Sequence, residues 1–361
     1  MTRPARVVIN LSALRHNLNR VRTLAPQSRV MAIVKTDAYG HGIARVARAL
    51  SSADAFGVAC LEEARQLRAS GIVRPVILLE GAYAAAELPE IAQLDLDIVV
   101  HDVTQVEMLE GARPVKPLIV WLKVDTGMHR LGIMPGLFDD VWRRLQDCSA
   151  VAQPVRLITH LAAASERTHP MTHAQLDCFK RICGHVSVEK SIANSAGITA
   201  FPESHADWVR PGLMLYGVSP LSDGNAFEEG LIPVMTLRSE LIAVKRLHAG
   251  DPVGYGATWN CPEDMPVGVV AAGYGDGYPR HAPSGTPVLL NGRHVPLIGR
   301  ASMDMLSVDL RTQPQARVGD PVVLWGEGLP VEVIARHADT IPYELLCGVH
   351  KRLRFEEHGE G

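Results

Sequence analysis

The sequence has few aromatic residues, little net charge and no long hydrophobic run. Phenylalanine, tryptophan and tyrosine make up 5% of its 361 residues, and the formal net charge is −3. Neither value is typical of a protein that binds nucleic acid by base stacking or an anionic membrane by charge. No apolar run approaches the roughly 20 residues that a membrane-spanning helix needs. We therefore expect a globular, cytoplasmic protein with no nucleic acid or membrane as partner.

Metal-binding and disulfide patterns are also missing. The six cysteines are scattered and none forms C-x-x-C, so neither a zinc knuckle nor a disulfide framework is indicated. His169 and His173 have a spacing that could bind metal on a helix, but Pro170 lies between them and no third ligand is evident. We expect no metal site.

What the sequence does contain is a repeat of short apolar runs and helix-like segments. The runs are often β-branched and do not alternate, as is typical of strands buried on both faces. They are MAIVK (31–35), AFGVAC (55–60), PVILLE (75–80), DIVVH (97–101), LIVWLKVD (118–125), VRLITHL (155–161), KSIAN (190–194) and LMLYG (213–217). Eight such runs with helices between them predict a (β/α)8 barrel. An open doubly wound sheet is the alternative, but no G-x-G-x-x-G follows the first run.

The pattern changes near residue 232. From there on, strand-like runs are separated by glycine and proline turns, and Asn291-Gly292 between apolar runs is a hairpin signal. We predict a barrel domain over residues 1–231 and a second, mostly β domain over residues 232–361.

Polar residues recur at the ends of the predicted barrel strands, where barrel enzymes carry their catalytic groups. They are Lys35, Asp125, His160, Asn194, Ser195 and Arg210. A lysine amine at a barrel mouth can form a Schiff base with a carbonyl substrate or with pyridoxal phosphate. The second choice needs a phosphate cradle, for which the segments NSAG (194–197) and RPGLMLYG (210–217) offer a hydroxyl and backbone N–H groups.

Seven ordered motifs resemble the alanine racemase family of pyridoxal-phosphate enzymes, which have a barrel and a C-terminal β domain. They are AIVKTDAYGHG (32–42), LKVDTGMHRLG (122–132), ITHLAAASE (158–166), ANSAG (193–197), VRPGLMLYG (209–217), GYGDGYPR (273–280) and IGRASMDM (298–305). The resemblance covers nearly the whole chain. It implies a racemase acting through a pyridoxal 5'-phosphate external aldimine, with a role in D-alanine supply as a peptidoglycan precursor or in catabolism.

The resemblance also implies the cofactor-binding residues. Lys35 would carry the cofactor and serve as one acid/base group. Tyr39 would hydrogen-bond its phosphate, and Ser195 with the N–H groups of Gly212 and Leu213 would complete the phosphate cradle.

The remaining roles concern the pyridine ring and the substrate. Arg210, supported by His160, would face the pyridine nitrogen, and an arginine there cannot accept a proton. Arg130 and the backbone N–H of Met303 would hold the substrate carboxylate, and Tyr274 would be the second acid/base group on the opposite face. In the family the residues matched by Tyr274 and Met303 come from the partner subunit, so a homodimer with shared sites is implied.

Two lysines and one tyrosine have further candidate roles. The lysine matched by Lys123 is often carbamylated in the family, and the new carboxylate orients the arginine matched by Arg130. Aligning the C-terminal segment on Cys347 and Arg352 puts Lys351 where some members have a phosphate-binding tyrosine. Tyr255 in GYGATW is a candidate for the site entrance or an ordinary turn aromatic.

Alternatives to alanine remain open at the sequence level. The motifs specify a carboxylate and an α-carbon but not a side-chain pocket, so serine or another small amino acid fits the same scaffold. A related barrel decarboxylase is a weaker alternative, because GRASMDM does not reproduce the cysteine-aspartate motif of those enzymes.

Overall fold

The structure is a computed structural model that describes residues 3–359. Its first nine strands are β1 (Arg6–Asn10), β2 (Arg29–Ile33), β3 (Ala55–Val58), β4 (Val76–Leu78), β5 (Leu96–Val100), β6 (Leu118–Lys123), β7 (Val151–Ile158), β8 (Lys190–Asn194) and β9 (Trp208–Arg210). The later strands are β10 (Met235–Leu247), β11 (Pro252–Val253), β12 (Trp259–Asn260), β13 (Met265–Val270), β14 (Pro287–Leu290), β15 (Arg293–Ile298), β16 (Leu306–Asp309), β17 (Pro321–Trp325) and β18 (Arg354–His358).

Most helices follow barrel strands. They are α1 (Leu11–Leu24), α2 (Lys35–Tyr39), α3 (Ile43–Ala49), α4 (Leu61–Ala69), α5 (Leu88–Gln93), α6 (Val103–Gly111), α7 (Phe138–Asp147), α8 (Met171–Cys183) and α9 (Ser195–Ala200). Two more, α10 (Val331–His337) and α11 (Pro342–Cys347), lie near the C-terminus. Among the described residues, none of the helices has the length and apolar character that a membrane crossing requires.

Strands β2 to β9 close into a parallel barrel, which confirms the predicted fold class. Each strand pairs in parallel with the next, and β2 closes the ring through Val30 opposite Val209. All residues of β3 and β5 are buried, as strands covered on both faces require. The C-terminal ends of these strands therefore meet at one mouth.

The eighth barrel strand is not the one predicted. The run LMLYG was expected to form it, but Leu213–Tyr216 is a 3-10 turn, and the strand is the preceding Trp208–Arg210. The 3-10 segment is buried and apolar, so hydrophobicity alone could not distinguish it from a strand. Arg210 consequently ends the eighth strand instead of preceding it.

The second sheet combines strands from both ends of the chain. Its order is β13-β16-β15-β14-β17-β10-β1-β18, with an additional pairing of β13 with β10. Strand β1 lies antiparallel to β10 and parallel to β18. The N-terminal strand thus joins a sheet built mainly from residues after 232, while the division at residues 231 and 232 stays a prediction.

Candidate active site

Directly after β2, the chain makes a left-handed turn that begins at Lys35. Residues 36–39 (Thr36, Asp37, Ala38 and Tyr39) have φ values of 57°, 51°, 54° and 53°. The left-handed helical conformation costs an L-residue roughly 1–2 kcal/mol, so four consecutive residues store considerable strain. Such strain persists only where the surroundings enforce it, and it often marks a functional site.

Side-chain hydrogen bonds enforce this turn. The Asp37 carboxylate accepts the N–H of Ile43 at 2.8 Å, and the Glu63 carboxylate accepts the N–H of Thr36. The Nδ1 atom of His41 lies 3.0 Å from the carbonyl oxygen of Ala38. The turn is therefore held from both sides and fixes the direction in which Lys35 leaves the barrel.

Burial keeps His41 neutral. Its ring is fully buried, and desolvation lowers its pKa to about 4, although the backbone oxygens of Tyr39 and Ala38 act in the opposite direction. A neutral ring can donate only one N–H, and the two oxygens beside Nδ1 indicate that this nitrogen carries the proton.

A cavity of about 990 Å³ opens at the barrel mouth and brings most of the predicted site residues together. Its walls include nine residues that the sequence analysis assigned: Lys35, Tyr39, Lys123, Arg130, His160, Ser195, Arg210, Gly212 and Leu213. Tyr274 and Met303 do not line this cavity.

Arg210 is buried and anchored in the cavity wall. Its Nη1 donates to the Ser191 hydroxyl at 2.6 Å, and its Nη2 donates to the carbonyl oxygens of Thr159 and Ile192. Its Nε–H has no acceptor within residues 3–359, which leaves this donor available to a ligand. Burial lowers the pKa of Arg210 to about 9, so the guanidinium stays charged at neutral pH.

The other basic groups are close enough to influence one another. Nδ1 of His160 lies 3.4 Å from Nη2 of Arg210, and burial together with the charge of Arg210 holds the pKa of His160 well below its usual range. Burial and the charges of Arg210, Arg130 and Lys35 lower the pKa of Lys123 to about 8. The cavity is thus strongly electropositive and suits anionic groups.

Ser195 and Gly212 form a tight corner on one side of the cavity. The Ser195 hydroxyl accepts the N–H of Gly212 at 2.8 Å and lies 3.4 Å from the nitrogen of Met214. A Cβ atom at Gly212 would come within 2.5 Å of the Tyr39 hydroxyl. The absence of a side chain at Gly212 therefore keeps a small polar recess open between the hydroxyls of Ser195 and Tyr39.

Tyr343 is a cavity residue that the sequence analysis missed. Its ring centroid lies 5.7 Å from that of Tyr39, and it lines the cavity. Lys351, to which the alignment gave this position, is 87% exposed and pairs with Asp37 at 3.7 Å instead. The sequence did contain a signal, because Tyr343 in IPYELL lies four positions before Cys347. The alignment placed the phosphate-binding position four residues after Cys347 instead, at Lys351.

The loop that carries Arg130 is shaped by Asp125. Its carboxylate accepts the N–H groups of Gly127 at 2.9 Å and of His129 at 3.1 Å. Burial alone would raise the pKa of Asp125, but these donors hold it below its ordinary value. The turn that they close presents Arg130 to the cavity from the end of β6.

The candidate residues of the second sheet lie on an exposed face. Tyr274 is 37% exposed and Met303 is 53% exposed, and the Arg280 guanidinium lies 5.8 Å from the centre of the Tyr274 ring. A second phenol, Tyr255, is 65% exposed. It lies in a turn flanked by Gly254 and Gly256, each with a φ of 75°. The three side chains are therefore at least partly accessible to another molecule.

Comparisons with known proteins agree along nearly the whole chain. Residues 9–220 match the family model "Alanine racemase, N-terminal domain", and residues 234–356 match "Alanine racemase, C-terminal domain". An alanine racemase of Nitrosococcus oceani is 56% identical over 346 residues, which is 96% of this chain and 97% of that protein. The biosynthetic alanine racemase of an Escherichia coli strain is 53% identical over 350 residues, covering 97% and 98% of the two chains.

Solved structures agree with these matches. The crystal structure of the biosynthetic alanine racemase of Pseudomonas aeruginosa superposes with a TM-score of 0.97 at 46% identity, over 99% of this chain and 100% of that one. The alanine racemase of Acinetobacter baumannii gives a TM-score of 0.92 at 37% identity, over the same shares of the two chains.

Proposed function

The chain belongs to the alanine racemase family, and on this premise we propose that it interconverts L- and D-alanine with pyridoxal phosphate at the barrel mouth. The observation that carries the proposal is the position of Lys35. The lysine begins a strained turn and lines a cavity that also holds the buried guanidinium of Arg210, at the end of the neighbouring strand β9. Because a relative in Escherichia coli is named biosynthetic, we place the reaction in the supply of D-alanine.

The residues present suit this cofactor. The recess between Ser195, Gly212 and Tyr39 is small and polar, and a Cβ at Gly212 would fill it. We propose that it holds the phosphate, with Leu213 and the Tyr343 hydroxyl beside it. When bound through its aldehyde, pyridoxal phosphate withdraws electrons from the amino-acid Cα and thereby acidifies the α-proton.

Arg210 and His160 set the electronic environment of the cofactor ring. The two Nη atoms of Arg210 are held by the barrel, so we propose that its free Nε–H donates to the ring nitrogen. A charged guanidinium cannot accept a proton. Unlike a carboxylic acid, it also does not transfer a proton to the ring nitrogen. The neutral ring of His160 lies against Nη2 and limits how far the guanidinium can turn.

Racemisation needs proton transfer on two opposite faces of the α-carbon. We assign one face to the Lys35 amine. Tyr274 does not line the cavity of its own chain, and we propose that the second group is a phenol supplied to the cavity by another chain. The sequence assigns this role to Tyr274. Tyr255 is a second candidate, and we favour it because it is more exposed than Tyr274 and lies in a turn between two glycines.

Substrate orientation is assigned to Arg130 and Met303. The guanidinium of Arg130 suits two-point binding of a carboxylate. The backbone N–H of Met303 has no acceptor among residues 3–359, and it would bind the same carboxylate from a second chain. We therefore propose a homodimer in which each cavity is completed by the exposed face of the partner.

Lys123 is proposed to be carbamylated. Its lowered pKa leaves a larger share of neutral amine, which is the form that reacts with carbon dioxide. Within the described part of the chain, no carboxylate lies within 4.0 Å of its amine. A carbamate would add a negative charge beside Arg130 and Arg210 and would thereby hold the Arg130 guanidinium in place.

The test is to incubate the purified holoenzyme with each enantiomer of alanine in heavy water and to follow optical rotation and deuterium at Cα. We expect racemisation from both directions, with deuterium in the product formed. Serine assayed in parallel identifies the preferred side chain. A holoenzyme that racemises neither amino acid would defeat the proposed function.

A further inference from the structure

The second sheet carries an ionic cluster around one buried carboxylate, between the loops of Tyr274 and Met303. We define the Asp276 cluster as Arg3, Asp276, Asp304 and Arg352. The Asp276 side chain has no exposed surface, and its carboxylate accepts from Nη2 of Arg3 at 2.7 Å and from Nε of Arg352 at 2.9 Å. Nη2 of Arg352 pairs with the Asp304 carboxylate at 2.9 Å. The two arginines come from opposite ends of the chain.

The cluster joins the two loops that carry Tyr274 and Met303. The second oxygen of Asp276 accepts the N–H of Gly273 at 2.9 Å. Nη2 of Arg3 donates to the carbonyl oxygen of Asp304 at 2.9 Å. The two loops are also bonded to each other, because the N–H of Tyr274 donates to Ser302 at 3.0 Å.

The bonds converge on the peptide groups around Met303. Its carbonyl oxygen accepts from the N–H of Gly275 at 2.9 Å and faces Nη2 of Arg352 at 3.3 Å. An ideal Cβ on Gly275 would come within 2.6 Å of the same guanidinium nitrogen, so the backbone and the arginine are in close contact. The Met303 carbonyl is therefore held by the cluster, while the preceding peptide, which carries the Met303 N–H, is held through Ser302 by the Tyr274 N–H.

Arg352 also belongs to a segment that reaches the lysine turn. The N–H of His350 donates to the Asp276 carbonyl at 3.1 Å. At the other end of the segment, the Leu346 carbonyl lies so close to Gly40 that a Cβ there would come within 2.2 Å of it. The same short stretch of chain therefore contacts the turn behind Lys35 and the loops of the exposed face.

Burial of the Asp276 carboxylate is a costly way to gain stability alone, since its desolvation offsets much of the attraction to the two partly exposed arginines. Its hydrogen bonds are directional, however, and they fix the groups that they join. From this geometry we propose that Asp276, Arg3 and Arg352 are positioning residues for substrate binding. They hold the Met303 N–H and the neighbouring Tyr274 in the orientation that a second chain's cavity requires. This inference depends on the proposed function of Met303.

The experiment compares three variants of the holoenzyme: Asp276→Asn, Arg352→Lys and the matched control Asp309→Asn. Asp309 is a buried carboxylate in the same sheet, bound by Arg311 at 2.8 Å, but it does not touch either loop. We first measure the melting temperature of each variant. We then measure kcat and KM for alanine at a temperature well below the lowest of these melting temperatures.

We expect KM for alanine to rise about tenfold or more in Asp276→Asn, since small misplacements of binding groups have effects of this size. Arg352→Lys keeps the charge but loses the planar fork, so a smaller rise in KM is expected. Asp309→Asn is expected to lower the melting temperature without changing KM. Loss of folded protein alone reduces the maximal rate and leaves KM unchanged, so KM separates positioning from stability.

An unchanged KM in Arg352→Lys and in folded Asp276→Asn would overturn the inference, as would an equal rise in Asp309→Asn. If Asp276→Asn does not fold, Arg352→Lys decides alone. A wild-type holoenzyme without alanine racemisation would defeat the proposed function, which is a different outcome.

Discussion

The barrel mouth and the exposed face of the second sheet differ in how their functional groups are held. At the mouth, Arg210 is buried, and Lys35 leaves a turn that hydrogen bonds enforce. On the face, Tyr255 and Met303 are more than half exposed. Neither Tyr255 nor Tyr274 lines the cavity at the mouth of its own chain, although both are accessible on the face. We infer that a second copy of the chain brings the face of one chain against the mouth of the other.

The two regions also use charge differently. The mouth gathers Lys35, Lys123, Arg130 and Arg210, and within the described residues no carboxylate forms an ion pair with Lys123, which favours anionic ligands. Behind the face, the Asp276 cluster balances two arginines with two carboxylates and positions backbone instead of ligand. We therefore expect the charged side chains of the mouth to bind anionic ligands, and those of the Asp276 cluster to orient the loops of Tyr274 and Met303.

The largest expected effect tests the mouth. Lys35→Ala removes both the group that holds the cofactor and one proton-transfer group, so we expect activity to fall by about 10⁴-fold or more. Borohydride reduction of the wild-type holoenzyme followed by peptide mapping is expected to label Lys35. The control is Lys116→Ala, which removes an exposed lysine paired with Asp95. Labelling of another lysine would contradict the assignment.

The next effect tests the face. We expect Tyr255→Phe to lower kcat by about 10²–10³-fold, the usual contribution of a general acid or base, while the cofactor absorbance persists. Tyr274→Phe is expected to have the smaller effect. Tyr278→Phe is the control, because its buried hydroxyl has no partner in the described part of the chain. The reverse order of the first two variants would restore Tyr274 as the proton-transfer group.

An effect of moderate size tests whether Lys123 at the mouth is carbamylated. With Lys123→Met we expect KM for alanine to rise about tenfold, since the group that orients Arg130 is lost. Lys123→Glu supplies a carboxylate directly and should retain more of the wild-type KM. Carbon-13 NMR with labelled bicarbonate is expected to give a carbamate signal that is absent from Lys123→Met. A wild-type spectrum without that signal argues for an unmodified lysine.

The smallest effect concerns stability at the mouth. The unfolded chain takes up a proton at His41 near the ordinary pKa of 6.5, whereas the folded chain does so only near pH 4. The contribution of His41 to the free energy of unfolding is therefore fully present above pH 6.5. It is lost as the pH falls toward 4, and the loss amounts to up to about 3 kcal/mol. Urea unfolding of the wild type and of His41→Gln at fixed protein concentration measures this contribution. Equal pH slopes for the two proteins would exclude it.

Much of the barrel was predictable because its signal is repetitive. Seven of the eight predicted apolar runs overlap the observed strands, since a strand buried on both faces must be apolar. The eighth strand prediction was wrong because LMLYG is as apolar as a strand, although its residues form a 3-10 turn. The N-terminal strand β1 was missed for another reason. Nothing local indicates that RVVIN pairs with strands more than 200 residues later in the chain.

The site residues were predictable where a motif fixed their identity and unpredictable where tertiary contacts did. The left-handed turn after Lys35 contains threonine, aspartate, alanine and tyrosine, none of which demands that conformation. Tyr343 reaches the cavity because α11 packs beside Tyr39, and only the folded chain reveals this contact. The Asp276 cluster likewise joins residues from both ends of the sequence.

The most direct test of the shared site is subunit complementation. A chain with Lys35→Ala is mixed with a chain in which Tyr255 and Tyr274 are both changed to phenylalanine, and the mixture is unfolded and refolded together. Half of the dimers then contain both chains, and one of their two sites is intact, so we predict about a quarter of wild-type racemase activity. Activity no greater than that of the two variants assayed separately would contradict a site built from two chains.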